Sequence, residues 1–137
     1  MITALDHIAI AVPDLDEAIK RFLEDFGLTY KGQEYVESQK TATAFFPLPE
    51  TQIELVASPD GEGPIAKYIE KKGGGIHHLC FRTDDIHADV AMLKEKGYQF
   101  LSDAPGPGAH GCQVIFIHPK SCGGVLIELS QPGDDHH

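Results

Sequence analysis

Basic residues are scarce in this chain of 137 amino acids, and tryptophan is absent. Only 11 lysines and arginines stand against 21 aspartates and glutamates, which gives a formal net charge of -10. Nucleic acids and anionic membrane surfaces are bound through basic faces, so this charge disfavours both as partners. A small anionic molecule held by a few local lysines stays compatible with it.

Long apolar runs and paired cysteines are lacking as well. No run approaches the roughly 18 apolar residues of a spanning helix, and the N-terminal MITALDHIAIAV shows no basic flank or cleavage site of a secretory signal. The three cysteines, Cys80, Cys112 and Cys122, form no CxxC motif. We therefore expect reduced thiols in a cytoplasmic protein. His136 and His137 resemble part of a purification tag and are left out of the site.

The composition that remains is that of an ordinary globular protein, with 42% hydrophobic and 23% charged residues. Apolar periodicity predicts the order β-α-β-β, a connecting helix, and β-α-β-β again, with further strands near 30–36 and 98–101. We expect one domain over residues 1–137. Its first module covers about 4–58, its linker helix about 63–72 and its second module about 75–131.

This element order reflects an internal repeat. HIAIAVPDLDEAI aligns with HLCFRTDDIHADV, and the tripeptide IEL occurs at 53–55 and again at 127–129. The alignment matches His7 with His78 and Glu54 with Glu128, at nearly equal spacing within each half. Such a repeated His–Glu pair is a far more specific signal than any of its members alone.

Strand parity separates the two adjacent histidines of GGGIHHLCF. Side chains alternate across a strand, so His78 shares a face with Cys80 and Arg82, whereas His77 shares the bulky opposite face. His7 likewise has only small neighbours, Ala9 and Ala11, on its face, which leaves room for a ligand. We interpret His77 as structural and His78 as a candidate ligand.

Two imidazoles and two carboxylates form a normal ligand set for a divalent transition metal. A buried glutamate without a partner is costly, which makes a carboxylate inside VLIELS hard to explain otherwise. The competing interpretation is four unrelated polar groups, and the repeat argues against it. The sequence therefore predicts one divalent ion held by His7, Glu54, His78 and Glu128, with Gln52 as the alternative to Glu54.

Other motifs carry less information. The glycine-rich GGG and GPGAHG match neither GxGxxG nor a P-loop, and no nucleophile elbow is present. His110 lies in a loop that could touch a substrate, and His118, before Pro119, is most simply a turn residue.

Three segments, DHIAIAVPDLDEAI, GPIAKYIEKKGGGIHHLCFRTDDI and GCQVIFIHPKSCGGVLIELSQ, resemble the methylmalonyl-CoA epimerase family. That family is part of the vicinal oxygen chelate superfamily, which includes glyoxalase I. The resemblance implies an α+β fold in which two tandem βαβββ modules form a cup-shaped mixed β-sheet with helices outside. It also implies a homodimer and one metal ion, cobalt, zinc, nickel or manganese, on the same four residues.

The implied activity is a metal-dependent epimerisation of an acyl-CoA substrate through an enolate, with Glu128 handling one proton. Some family members resemble a pattern with an additional glutamate where this chain has Thr43. Thr43 cannot act as a base near neutral pH, so the repeat assigns the second proton to Glu54. Arg82 and Lys120 are candidate contacts for coenzyme A.

Three other functions compete with this assignment. A glyoxalase I-type lactoylglutathione lyase would use the same ligand set. A ring-cleaving dioxygenase of this fold uses two histidines and one carboxylate for iron, usually in a longer chain. A non-catalytic binding protein of the fold usually lacks the metal ligands.

Overall fold

The computed structural model describes residues 1–133; the tail that carries His136 and His137 lies outside the described residues. Eight strands are formed: β1 (Ile2–Ala11), β2 (Gln33–Val36), β3 (Thr41–Leu48), β4 (Thr51–Ala57), β5 (Gly75–Thr83), β6 (Gly106–Pro107), β7 (Gln113–Ile117) and β8 (Ile127–Gln131). The α-helices are α1 (Leu15–Lys20), continued by a π-helical turn at Arg21–Asp25, then α2 (Gly63–Lys72) and α3 (Ile86–Glu95). Short 3-10 turns cover Glu37–Gln39, Ala109–Gly111 and Pro119–Cys122.

The contacts divide the chain into two compact units, the first being His7–His77 and the second combining Met1–Asp6 with the residues from His78 onward. Strands β1 and β5 are each shared between the units. No helix among the described residues is long and apolar enough to cross a membrane.

The first unit is a mixed sheet in the order β2-β3-β4-β1, in which β1 and β4 are parallel and the other pairs antiparallel. The Asp14 carboxylate caps α1 by accepting a hydrogen bond from the Glu17 amide (3.1 Å). Helix α1 then packs its apolar side on one face of the sheet. The buried members of this core are Val12, Ala18, Ile19, Ala44, Phe46, Leu55 and Ala57.

The opposite face of the first unit corrects one expectation. The small residues Ala9 and Ala11 do not leave open space, since they are 0% and 1% exposed. They pack with Val56 against Ile65 of α2, in a second apolar cluster. The linker helix therefore covers this part of the face that carries His7.

The second unit repeats the same βαβββ arrangement. Strands β5 and β8 are parallel, and β7 pairs antiparallel with β8 on one side and with β6 on the other. Asp85 caps α3 through the Ala88 amide (3.1 Å), and α3 packs on the sheet. The buried members of this core are Ile86, Val90, Ile115, Ile117 and Leu129.

Two expected elements differ in extent. The strand expected near 30–36 is confirmed as the shorter β2. The strand expected at 98–101 is wrong: only a single bridge forms, between Phe100 and Ile117. After this bridge the chain bends at residues 101–104, where the Ser102 hydroxyl donates to the Ala104 carbonyl (3.2 Å). The outer strand of the second unit is instead β6, a two-residue strand within the glycine-rich segment.

Candidate active site

In the first unit, His7 and Glu54 lie side by side on the parallel strands β1 and β4. The register places Ala9 opposite Glu54, and the His7 Nδ1 atom lies 3.1 Å from Glu54 Oε2. Both residues are buried, at 7% and 8% exposure. Gln52 Nε2 donates a hydrogen bond to the same Oε2 atom at 2.9 Å. The glutamate oxygen is therefore held by two neighbours.

In the second unit, His78 and Glu128 form the equivalent pair on β5 and β8. Cys80 lies opposite Glu128 in the register, and His78 Nε2 is 3.0 Å from Glu128 Oε1. The exposures of 8% and 7% match those of the first pair. Phe116, opposite Glu128 on β7, stacks edge-to-face with the His78 ring at a centroid distance of 5.1 Å.

The chemistry of these residues fits a divalent metal. Each pair offers an imidazole nitrogen and a carboxylate oxygen, the donors that zinc, manganese, cobalt and nickel accept. His7, His78 and Glu128 are buried, and each has a side-chain atom that can bind a metal ion. Removing a carboxylate from water requires a cation or hydrogen-bond donors, and a bound metal ion would meet that requirement. The ligand assignment itself stays a prediction.

Gln52 has a clear place next to Glu54. Its amide donates to Glu54, so it orients the carboxylate that contacts His7. The sequence offers Gln52 only as an alternative ligand; its amide reaches Glu54 because the two residues are two positions apart on β4 and so share a face. A hydrogen-bond partner that does not itself bind the metal fixes the orientation of a metal ligand in this way.

His77 lies in surroundings different from those of His78, as strand parity predicts. Its ring meets Tyr68 edge-to-face at 4.9 Å, and the Tyr68 hydroxyl donates to the Ile76 carbonyl (2.8 Å). These contacts join β5 to helix α2 within the first unit. They support the structural interpretation of His77.

The candidate cation Arg82 is engaged by an acid that the sequence argument missed. Its Nε and Nη2 atoms donate to Asp6 Oδ1 at 3.0 and 2.9 Å, while 42% of its side chain stays exposed. Asp6 could have been noticed as the residue before His7, but nothing in its spacing points to Arg82. The guanidinium charge is thus partly balanced before any ligand arrives.

The remaining candidates have local roles. His118 Nδ1 accepts a hydrogen bond from the Lys120 amide (3.1 Å), which confirms the turn interpretation. His110 adopts a left-handed backbone with φ of 57°. Burial raises the pKa of the Cys112 thiol, an effect that a hydrogen bond with Ser130 partly opposes. The three cysteines are free thiols, as expected.

Comparison with known proteins shows similarity over nearly the whole chain. Residues 6–116 match the profile of the Glyoxalase/Bleomycin resistance protein/Dioxygenase superfamily. The ethylmalonyl-CoA/methylmalonyl-CoA epimerase of Cereibacter sphaeroides is 44% identical over 134 residues, covering 96% of this chain and 99% of that protein. A curated relative is thus similar along its full length.

Solved structures agree with this similarity. The methylmalonyl-CoA epimerase of Mycobacterium tuberculosis is 36% identical, with a TM-score of 0.92 over 96% of this chain and 89% of that one. A methylmalonyl-CoA epimerase in complex with methylmalonyl-CoA and an ammonium ion is 31% identical, with a TM-score of 0.92 over 98% and 97% of the two chains. The predicted fold class is confirmed.

Proposed function

This chain belongs to the Glyoxalase/Bleomycin resistance protein/Dioxygenase superfamily, and from that premise we propose that it interconverts the epimers of methylmalonyl-CoA. The observation that carries the proposal is the repeated buried His–Glu pair, present in a chain that is 44% identical to an epimerase over its whole length. Relatives named for the same reaction, and one solved with methylmalonyl-CoA, support the substrate.

We assign the metal to His7, Glu54, His78 and Glu128. These residues would hold a divalent ion, whose positive charge would stabilise an enolate at the substrate. Cobalt, zinc, nickel and manganese all suit two imidazoles and two carboxylates. The donors are buried, so competing water is limited at these atoms.

The chain's own task is to move protons at the carbon between the carboxylate and the thioester. Inversion requires removal of a proton on one face of this carbon and delivery on the other. Glu128 is our first proton carrier; its Oε1 atom lies 3.0 Å from His78 Nε2, and Phe116 is its directly paired neighbour on β7. Glu54 as the second carrier stays a prediction of the repeat.

One experiment tests the activity directly. The metal-loaded protein is incubated with a single methylmalonyl-CoA epimer in deuterated water, and NMR follows both deuterium uptake at the α-carbon and the appearance of the other epimer. We expect both. Ethylmalonyl-CoA is a useful second substrate, because the Cereibacter sphaeroides relative is named for it as well.

The same samples separate the competing functions. Turnover of the methylglyoxal–glutathione adduct without α-proton exchange on methylmalonyl-CoA would establish the lyase and refute the epimerase. Oxygen consumption with a catechol would indicate a dioxygenase, and binding without turnover would indicate a binding protein. A homodimer and a cytoplasmic location also remain predictions.

A further inference from the structure

An aromatic side chain, Phe116, lies next to the His78–Glu128 pair in the second unit. Phe116 is directly opposite Glu128 in the pairing of β7 with β8. Its ring meets the His78 ring edge-to-face, with the two centroids 5.1 Å apart. Directly paired strand residues project from the same face of a sheet. Phe116 therefore shares a face with Glu128 and is in contact with His78.

The flanking residues on β7 show which way the Phe116 side chain points. Ile115 and Ile117 are buried in the core of the second unit, together with Ile86 and Val90 of α3. Because side chains alternate along a strand, Phe116 projects away from this core. The residue is half-buried. Part of its apolar surface is therefore accessible on the side of the sheet opposite α3.

Two other residues on this face are closed off by their surroundings. Cys80, which is paired with Glu128 on its other side, is 0% exposed. Val114, two residues before Phe116, is met by the glycine-rich segment, where a Cβ added to Gly108 would lie 2.7 Å from Val114 Cγ1. The Gly108 backbone therefore packs against the Val114 side chain. Of the two residues paired with Glu128, Phe116 is the one that a ligand can touch.

At the matching position the first unit has a buried ring instead. Phe45 is paired with Glu54 just as Phe116 is paired with Glu128. Phe45 is 5% exposed, and Ala9, the residue paired with Glu54 on its other side, is 0% exposed. The repeat thus keeps a phenylalanine beside each glutamate but leaves the ring of the second unit accessible. This difference points to a ligand contact at Phe116.

We propose that Phe116 contacts the α-alkyl group of an alkylmalonyl thioester and limits its size; this inference rests on the proposed epimerase function. The α-carbon of such a substrate carries a hydrogen, a carboxylate, a thioester and an alkyl group. Oxygen atoms of the carboxylate and the thioester suit the polar ligand set. The alkyl group instead gains from leaving water and packing on an aromatic ring. Phe116 offers that ring, because it contacts His78 and is paired with Glu128.

The test compares kcat/KM for ethylmalonyl-CoA with kcat/KM for methylmalonyl-CoA in the metal-loaded protein. One methylene group in an apolar pocket changes such a ratio by roughly 10–200-fold. We expect Phe116→Ala, which enlarges the space, to raise the ethyl-to-methyl ratio about tenfold, and Phe116→Leu to raise it less. Phe116→Trp, which reduces the space, should lower the ratio about tenfold. Because the ratio does not depend on the fraction of folded enzyme, a partly unfolded variant still reports on the contact.

Phe45→Leu is the matched control, since Phe45 has the same place beside Glu54 but is buried. We expect it to lower the thermal unfolding temperature and to leave the ethyl-to-methyl ratio within about twofold of the native value, because a buried ring offers a ligand no surface. The contact of Phe116 with His78 could also serve the histidine alone. In that case substitution of Phe116 would change bound metal and kcat for both thioesters alike, without changing the ratio.

Two outcomes overturn the inference. One is an ethyl-to-methyl ratio that stays within about twofold of the native value in all three Phe116 variants, since one methylene in a size-limiting contact is worth far more. The other is a change of the ratio by Phe45→Leu as large as that by Phe116→Leu. If the native chain exchanges the α-proton of neither thioester in deuterated water, the proposed function fails, a result distinct from both.

Discussion

The two units carry equivalent His–Glu pairs on equivalent pairs of parallel strands, but the neighbours of the two pairs differ. Gln52, two residues before Glu54, donates to that carboxylate, whereas the residue two before Glu128 is Leu126, whose side chain has no donor. Ala11 of the first unit corresponds to Arg82 of the second, which is bonded to Asp6. The repeat preserves candidate ligands and varies their supports, so two like carboxylates can carry unlike roles.

The largest expected effect concerns the ligands themselves. His7→Ala and His78→Ala should each weaken metal binding by more than the roughly 10–100-fold that losing a supporting residue costs. His77→Ala should leave metal content largely intact, because His77 packs on Tyr68. Elemental analysis after dialysis measures all three. Equal loss in His77→Ala and His78→Ala would refute the parity argument.

The apolar cores should respond alike in the two units. Leu55 and Leu129 occupy the same place in the two IEL segments and are 0% and 1% exposed. Leucine-to-alanine changes at such sites cost about 2–5 kcal/mol through lost burial and a residual cavity. We expect Leu55→Ala and Leu129→Ala to lower the free energy of unfolding in urea by similar amounts. A cost below about 1 kcal/mol for one of them would show that its core relaxes far more readily.

Gln52→Leu should have a smaller effect, and it tests directly the difference between the neighbours of Glu54 and Glu128. The change gives the first unit the leucine found at the matching place in the second, and it removes the hydrogen bond to Glu54. Loss of a supporting contact predicts metal binding weaker by roughly tenfold. Titration with a competing chelator measures this. Unchanged affinity would mean that His7 alone is enough to orient Glu54.

Hydrophobic periodicity and the internal repeat were enough to predict the main strands, the helices and the face from which the candidate ligands project. The alternation around His78 and Glu128 predicted strands and a shared face, and the 63–72 helix is confirmed as α2. Partners that depend on strand register could not be found in this way. The contact between Arg82 and Asp6 is an example, because the two residues are 76 positions apart and nothing in their spacing points to it.

Apolar content alone also misjudged two places. The small Ala9 and Ala11 suggested open space, yet the same small size lets helix α2 approach the sheet. The 98–101 segment has strand-like residues, but only one bridge forms before the chain turns. Both results depend on tertiary packing, which local pattern does not contain.

The smallest expected effect uses the thiols, all three of which lie in the second unit. Burial raises the pKa of the Cys112 thiol, and the nearby Asp6 and Glu128 carboxylates add to this. At a given pH, the folded chain then holds less reactive thiolate than the unfolded one. We expect Cys112 to be alkylated several-fold more slowly at pH 8 in the native chain than in urea, with its rate rising at higher pH. Comparison with the Cys112→Ser variant identifies which kinetic phase of the alkylation belongs to Cys112.

The raised pKa of Cys112 also determines how the free energy of unfolding changes with pH. A thiol whose pKa is raised on folding binds its proton more tightly in the folded state, so its contribution is fully present at low pH. That contribution is lost as the pH rises above the thiol's ordinary pKa, and Cys112→Ser should flatten the alkaline fall in unfolding free energy. An alkylation profile with the same midpoint in native and urea-unfolded protein would show that burial does not shift this thiol.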